Sequence, residues 1–210
     1  MRPRALAIGL LLLALAGPGH ALVSVWDRLP AGLSPDSLAK PLQQLESANP
    51  RAVSAGAAYA LGQYRYARGE YRWAAEAFGR AAARLQGYDR AEARYRQGLA
   101  WLGASEGGRA RAAFEEVSSL SDPLRPLAQL GLARALALTG ESELELETLQ
   151  RLIQSPAGEA EPAALERYAV LCDRAHRVAE ALSARDRLER RWPRSLEAAR
   201  LRSMRNGEQP

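Results

Sequence analysis

Cysteine is almost missing from this chain. Cys172 is the only one, so no disulfide can form within the 210 residues and packing must hold the fold. Lysine is as scarce: Lys40 stands alone and the remaining basic residues are arginines. A G+C-rich coding sequence accounts for that bias; forked recognition of acidic groups is the alternative. Aromatic residues make up only 6%, and β-branched residues are too few to supply a sheet. Histidine occurs twice, at His20 and His176. His20 falls in the apolar leader of residues 1–21, which leaves His176 beside Cys172. Such a pair on one helical face can activate a thiolate, and a zinc site draws on both residue types. No further ligand exists to complete a metal site, and His176 sits where a turn between helices is expected. A buried cysteine acting as a small hydrophobe is the preferred reading. The carboxylates show no convergent pair for acid–base work, and Gly107-Gly108 lacks the surroundings of a phosphate loop. The chain is therefore read as non-enzymatic, with no cofactor and no metal.

What is present points to helix. Apolar residues make up 47% and charged residues 25%, and alanine, leucine, arginine and glutamate dominate. The formal charge is +5, or +3 once Arg2 and Arg4 are discounted, too mild to indicate nucleic acid.

Residues 1–21, MRPRALAIGLLLLALAGPGHA, have the layout of an export signal. Arg2 and Arg4 precede an unbroken apolar run from Ala5 to Ala16, and small residues offer cleavage after Ala21 or Ala16. The run is 12 residues, short of the roughly 20 a membrane-spanning helix needs. An uncleaved N-terminal anchor is the other reading. No cysteine succeeds the run, so a lipoprotein signal is absent. The expected location is the bacterial periplasm, with no stable membrane insertion after cleavage. Residues 22–54 then give a linker and a short helix carrying Leu38, Leu42 and Leu45, expected to cap the exposed face of the unit that starts at residue 55.

From residue 55 the sequence repeats. Units begin at 55, 91, 126 and 162, in steps of 36, 35 and 36. Gly62 and Gly98 share one slot; so do Ala74 and Ala110, Phe78 and Phe114, and Ala81 and Val117. In the third unit (126–161) Ala133, Gly140, Leu149 and Leu152 keep the spacing, but Glu145 replaces the small alanine. There GESELELETL alternates like a strand, while Leu146, Leu149 and Ile153 favour helix. In the fourth unit (162–194) Ala169, Ala181 and Leu188 fall in place and His176 replaces the turn glycine. Ser195 is a good N-cap for a last helix, with a tail from Asn206.

These slots resemble the tetratricopeptide repeat (TPR), whose period is about 34 residues. A Sel1-like helix-pair array is the nearest alternative. The resemblance implies an all-α fold: a right-handed superhelical array of antiparallel helix pairs, about four repeats (55–90, 91–125, 126–161, 162–194) plus a C-terminal capping helix in 195–210. It implies close packing where Gly62 faces Ala74, with Phe78 and Phe114 filling the space between successive units. It also implies that the first helix of each unit lines a binding groove. The groove-facing slots hold Tyr59, Gln63 and Tyr66; then Tyr95, Arg96, Leu99 and Leu102; then Leu130, Arg134 and Leu138; then Glu166, Arg167, Val170, Asp173 and Arg174. Tyrosine and arginine suit binding hot spots. The opposing reading packs the tyrosines between helices and leaves the arginines as a solvated face, with Glu92–Arg96 an (i, i+4) pair. The slots of the chaperone-tail clamp hold Tyr59, Gln63, Leu127 and Gly131, so that clamp is absent. The expected function is a periplasmic scaffold or adaptor in the cell envelope that binds a protein or peptide, with no nucleic-acid partner. A self-associating structural subunit is the alternative.

Overall fold

The computed structural model describes residues 40, 43–44, 53–120 and 123–205. The expected signal, most of the 22–54 segment and the tail from Asn206 lie outside the described residues; Lys40, Gln43 and Gln44 within that segment are helical. The described residues contain no strand. They form two compact units that divide between Ser105 and Glu106. The expected second repeat, 91–125, spans that division.

The first unit contains α1 (Ala55–Ala67), α2 (Tyr71–Ala82) and α3 (Gly87–Gly103). Ser54 starts α1, its hydroxyl accepting the Ala57 N–H at 3.2 Å. The interior is built largely from alanine: Ala57, Ala58, Ala60, Ala74, Ala75, Ala77, Ala81, Ala82, Ala91 and Ala100 are all buried. Such small side chains let α1, α2 and α3 approach closely, and Leu61, Phe78 and Trp101 fill what remains. Gly62 is required by this approach. A Cβ there would stand 2.7 Å from Phe78 Cδ1, so the group that presses on Gly62 is the Phe78 ring of the same helix pair.

The second unit contains α4 (Gly107–Leu120), α5 (Arg125–Thr139), α6 (Ser142–Gln154), α7 (Glu161–Arg174), α8 (Val178–Arg191) and α9 (Leu196–Arg205). A short 3-10 turn, Gly158–Ala160, leads into α7. Its core joins Leu146, Leu149 and Leu152 of α6 to Leu165, Tyr168 and Cys172 of α7 and Leu188 of α8. A leucine buried this fully contributes about 1.5–3 kcal/mol. Phe114 reaches from α4 onto α5, where a Cβ on Gly131 would meet its ring at 2.5 Å. The GESELELETL stretch lies in a turn and α6, not in a strand. Its helical face wins because Leu146, Leu149 and Ile153 are the residues buried there. The Ser195 hydroxyl accepts the Ala198 N–H at 3.1 Å and starts α9.

Among the described residues Gly69 (φ +75°), Ser105 (φ +59°), Gly140 (φ +78°) and His176 (φ +57°) adopt left-handed backbone in turns between helices, as does Gly158 (φ +51°) in the 3-10 turn before α7. The 69, 140 and 176 turns close alike. Glu70 N–H bonds Arg65 C=O at 2.9 Å, Glu141 N–H bonds Leu136 C=O at 3.0 Å, and Arg177 N–H bonds Cys172 C=O at 2.8 Å. Each is the long bond of a Schellman C-cap, which needs the left-handed residue just before it.

Candidate binding faces

In the first unit, α1 and α3 carry the slots assigned to binding. Tyr59 is 2% exposed. Its ring packs edge-on against Phe78 at 5.3 Å, and its hydroxyl donates to Glu92 Oε1 at 3.3 Å. Burial, then the Glu92 charge, pushes the Tyr59 phenol up to about 12. Tyr59 is thus a packing residue with its polar end satisfied, and the expectation that it faces a groove is corrected: the slot lies too deep between the helices. Arg96 donates from Nε to the same Glu92 oxygen at 2.8 Å. Burial disfavours its charged form, yet Glu92 holds its pKa above the usual value. The (i, i+4) partner that sequence spacing offers Arg96 does occupy it.

Beyond this knot the face opens. Gln63 is half-buried, and its Oε1 is buried with no hydrogen-bond partner among the described residues. Tyr66 is 39% exposed, its ring edge-on to Tyr71 at 5.2 Å. Tyr71 in turn fills the space beside Gly103, where a Cβ would meet its ring at 2.7 Å. This chain of contacts runs from α1 through α2 to α3 and fixes the Tyr66 ring while leaving part of it accessible. Tyr95, Leu99 and Leu102 are half-buried along α3.

In the second unit, α5 and α7 carry the corresponding slots. Leu130 is buried and Val170 packs against the core. Arg167 is not available for a ligand. It forks onto Glu145, Nε to Oε1 at 2.5 Å and Nη2 to Oε2 at 3.0 Å, and Glu145 is 1% exposed. Glu145 stands in a slot the repeat reserves for alanine; the arginine from the next helix makes it a paired core residue, and its bond keeps the guanidinium charged. Arg167 is therefore structural, a correction to its placement among groove residues. Sequence spacing marks each residue separately but gives no sign that the two meet.

Glu166 faces Arg200 of α9 at 3.7 Å. Burial raises its carboxyl pKa, with Arg200 opposing. Asp173 is forked by Arg185. What stays open is Arg134, Leu138 and Arg174. Leu138 is 50% exposed. Arg134 and Arg174 are exposed, and nothing among the described residues pairs with either side chain. Arg174 also occupies the last turn of α7, where a cation is favourable.

One strong cluster escapes sequence reasoning. Glu161, 2% exposed at the start of α7, accepts from Arg187 Nε at 2.8 Å, Arg191 Nη1 at 2.6 Å and Trp192 Nε1 at 3.2 Å. It clamps the end of α8 onto α7. The only signal is the density of arginine near Trp192, which does not identify an acceptor.

Cys172 is buried, and burial raises its thiol pKa above the usual value. That moves it away from the thiolate needed for nucleophilic chemistry. His176 holds the left-handed turn position and is exposed. Among the described residues no group of acidic, histidine and cysteine side chains could hold a metal ion, and no helix is long and apolar enough to cross a membrane.

No protein-family model and no curated protein matches the chain in sequence. Solved structures do match in fold. YrrB, a TPR protein with an unusual peptide-binding site, superposes with a TM-score of 0.63 at 15% identity, covering 80% of this chain and 84% of its own. The C-terminal part of a TPR repeat-containing protein from Cytophaga hutchinsonii gives 0.61 at 18% identity, covering 83% and 76%. PilF of Pseudomonas aeruginosa gives 0.57 at 19% identity, covering 81% and 74%. The fold of this chain is all-α and of the TPR type.

Proposed function

We propose that the chain is a non-enzymatic scaffold that binds a protein or peptide segment on the faces of its first helices. The observation that carries this is the pair of arginines on α5 and α7: Arg134 and Arg174 are exposed and unpaired among the described residues. In the first unit Gln63, Tyr66, Tyr95 and Leu99 form the matching proposal, with Arg96 contributing what Glu92 leaves of its charge. Peptide binding by YrrB supports the reading by analogy of fold. We further propose export to a bacterial periplasm by the signal in residues 1–21, four repeats over residues 55–194, and a role in the cell envelope. Crosslinked capture from native envelopes tests the scaffold. Tyr66→Ala with Tyr95→Ala, and separately Arg134→Gln with Arg174→Gln, should each reduce partner recovery while far-UV circular dichroism is unchanged. Recovery undiminished by either pair rejects these faces. Fractionation with mass measurement of the mature N-terminus tests export.

Self-association is the second reading, favoured by Leu196 (72% exposed) and Met204 (53% exposed) on α9. A concentration-independent monomer in light scattering removes it.

A further inference from the structure

Successive helices cover one another at a fixed offset. Tyr71, at the start of α2, lies against Gly103 of α3, where a Cβ would meet its ring at 2.7 Å. A Cβ on Gly107, at the start of α4, would stand 3.1 Å from Leu138 Cβ and 2.8 Å from Thr139 Cγ2 on α5. In both cases the start of a second helix is covered by a residue 31 or 32 positions on, in the last turn of the next first helix. Elsewhere this slot and the one a turn further along keep apolar side chains covered: Tyr71 is half-buried, Ala75 fully buried and Leu146 5% exposed. On α8 the same two slots hold Val178 and Leu182, which are 61% and 54% exposed.

The helix in line to cover them is α9. It packs Ala198 and Leu201 into the core with Leu188 of α8, but it ends at Arg205. An offset of 32 from Val178 falls at residue 210, five positions beyond that end. Asn206–Pro210 read NGEQP and offer no large apolar side chain. The first half of α8 is thus an apolar recess, continuous with the α8–α9 contact and of the kind a helix fills elsewhere in the chain. Beside it α9 carries its own bare apolar side chains, Leu196 (72% exposed) and Met204 (53% exposed). A recess next to a raised helix is self-complementary: a second copy, turned about a two-fold axis, can seat its α9 in the recess and receive the first copy's α9 in its own. Next along α8 the exposed charges are of both signs, Asp186 and Arg190, so two like faces do not repel.

We infer that the recess at Val178 and Leu182 is filled by α9 of a second copy, giving a two-fold dimer in which Leu182 of each chain is buried against Leu196 of the other. This rests on the self-association reading and gives it a location; it uses no residue of the proposed binding faces, so a dimer can still act as a scaffold. The test is sedimentation velocity with light scattering on the full chain over a wide dilution series, where a monomer–dimer equilibrium is expected. Leu182→Gln and Leu196→Gln should each weaken dimerisation about tenfold or more, because the two-fold axis repeats every loss, with far-UV circular dichroism unchanged. An equal mixture of the two variants should dimerise more tightly than either alone, since one of its two contacts is then intact. A mixture no tighter than its components overturns the reciprocal packing. A monomer at every concentration overturns the proposal together with the self-association reading. Dimers that survive both substitutions overturn this interface alone. A persistent monomer in which Leu182→Gln instead lowers partner recovery from native envelopes overturns the proposal by assigning the recess to a different protein.

Discussion

Removing the charge from Glu161 tests how the second unit is held together. The carboxylate is 2% exposed and receives three side chains from the end of α8 and the residue after it. Glu161→Gln preserves its size and one acceptor oxygen but discards the charge that faces Arg187 and Arg191. Breaking a buried ion pair costs about 3–5 kcal/mol when the survivor is trapped without solvent. Here the survivors are not trapped: the Arg187 and Arg191 side chains are 34% and 56% exposed and can rehydrate. That moves the expected cost below the range, to about 2 kcal/mol for Gln. For a domain of this size each kcal/mol shifts Tm by roughly 2–4 °C, so a fall of about 4–8 °C should appear in a thermal melt. Trp192 gives a local readout, because its indole N–H loses the same acceptor and its emission should move to the red. The control is Glu147→Gln on α6. Glu147 and Arg151 also form an ion pair, but at 3.7 Å with side chains 60% and 62% exposed, and its loss should stay within about 0.5 kcal/mol. If Glu161→Gln costs no more than Glu147→Gln in parallel urea titrations, burial is not what gives the clamp its strength and the reasoning fails.

Gly62→Ala places a Cβ 2.7 Å from Phe78 Cδ1 and should destabilise by about 1–3 kcal/mol, whereas Gly108→Ala, with nothing within 4 Å, should be neutral or stabilising. Opposite signs in urea midpoints are expected; equal effects would refute the contact. His176→Gly relieves a left-handed residue (φ +57°) and should raise stability by up to about 1 kcal/mol, read as a higher Tm. A lower Tm would show that the histidine contributes something the turn geometry does not contain. Tyr59 has its phenol pKa raised from 10.0 to about 12, so the folded state holds its proton where the unfolded chain releases it. Its contribution is complete below pH 10 and is lost as pH rises toward about 12. Tyr59→Phe should remove one late-titrating component of the phenolate absorbance, leaving that of Tyr168, whose phenol burial raises further still, and should flatten the stability loss across that window; an unchanged absorbance titration counts against the assignment.

The helical class was legible because its determinants are local and repeated. Glycine, alanine and phenylalanine recur at fixed offsets, and α1, α2, α6, α7 and α8 each bury the residues those offsets mark. His176 could be placed in a turn from its offset alone, although histidine is a poor left-handed residue. The contacts that join helices were not legible. Glu145 and Arg167 lie 22 positions apart, and Glu161 and Arg191 lie 30 apart. No offset within a repeat marks either pair, and a glutamate in an alanine slot looks the same whether or not an arginine awaits it.

The binding slots were legible as positions but not as depths. The turns supply a common origin from which depth can be read. Counted back from Gly69 and Gly140, Tyr59 and Leu130 fall at the same distance, and both are buried. Gln63 and Arg134 also match, and they are half-buried and exposed. Nearest the turns come Tyr66, Leu138 and, before His176, Asp173 and Arg174, all exposed. Accessibility of these slots therefore rises along each first helix toward its C-terminal end, where the other side of the last turn stays buried through Arg65, Leu136 and Cys172. A ligand on either face meets Tyr66, or Leu138 with Arg174, before anything deeper. The tyrosine that the repeat pattern ranks with them, Tyr59, instead fixes the spacing of α1 and α3 through Glu92. Its removal should damage folding first and binding only as a consequence, which is why the discriminating substitutions are Tyr66 and the two unpaired arginines.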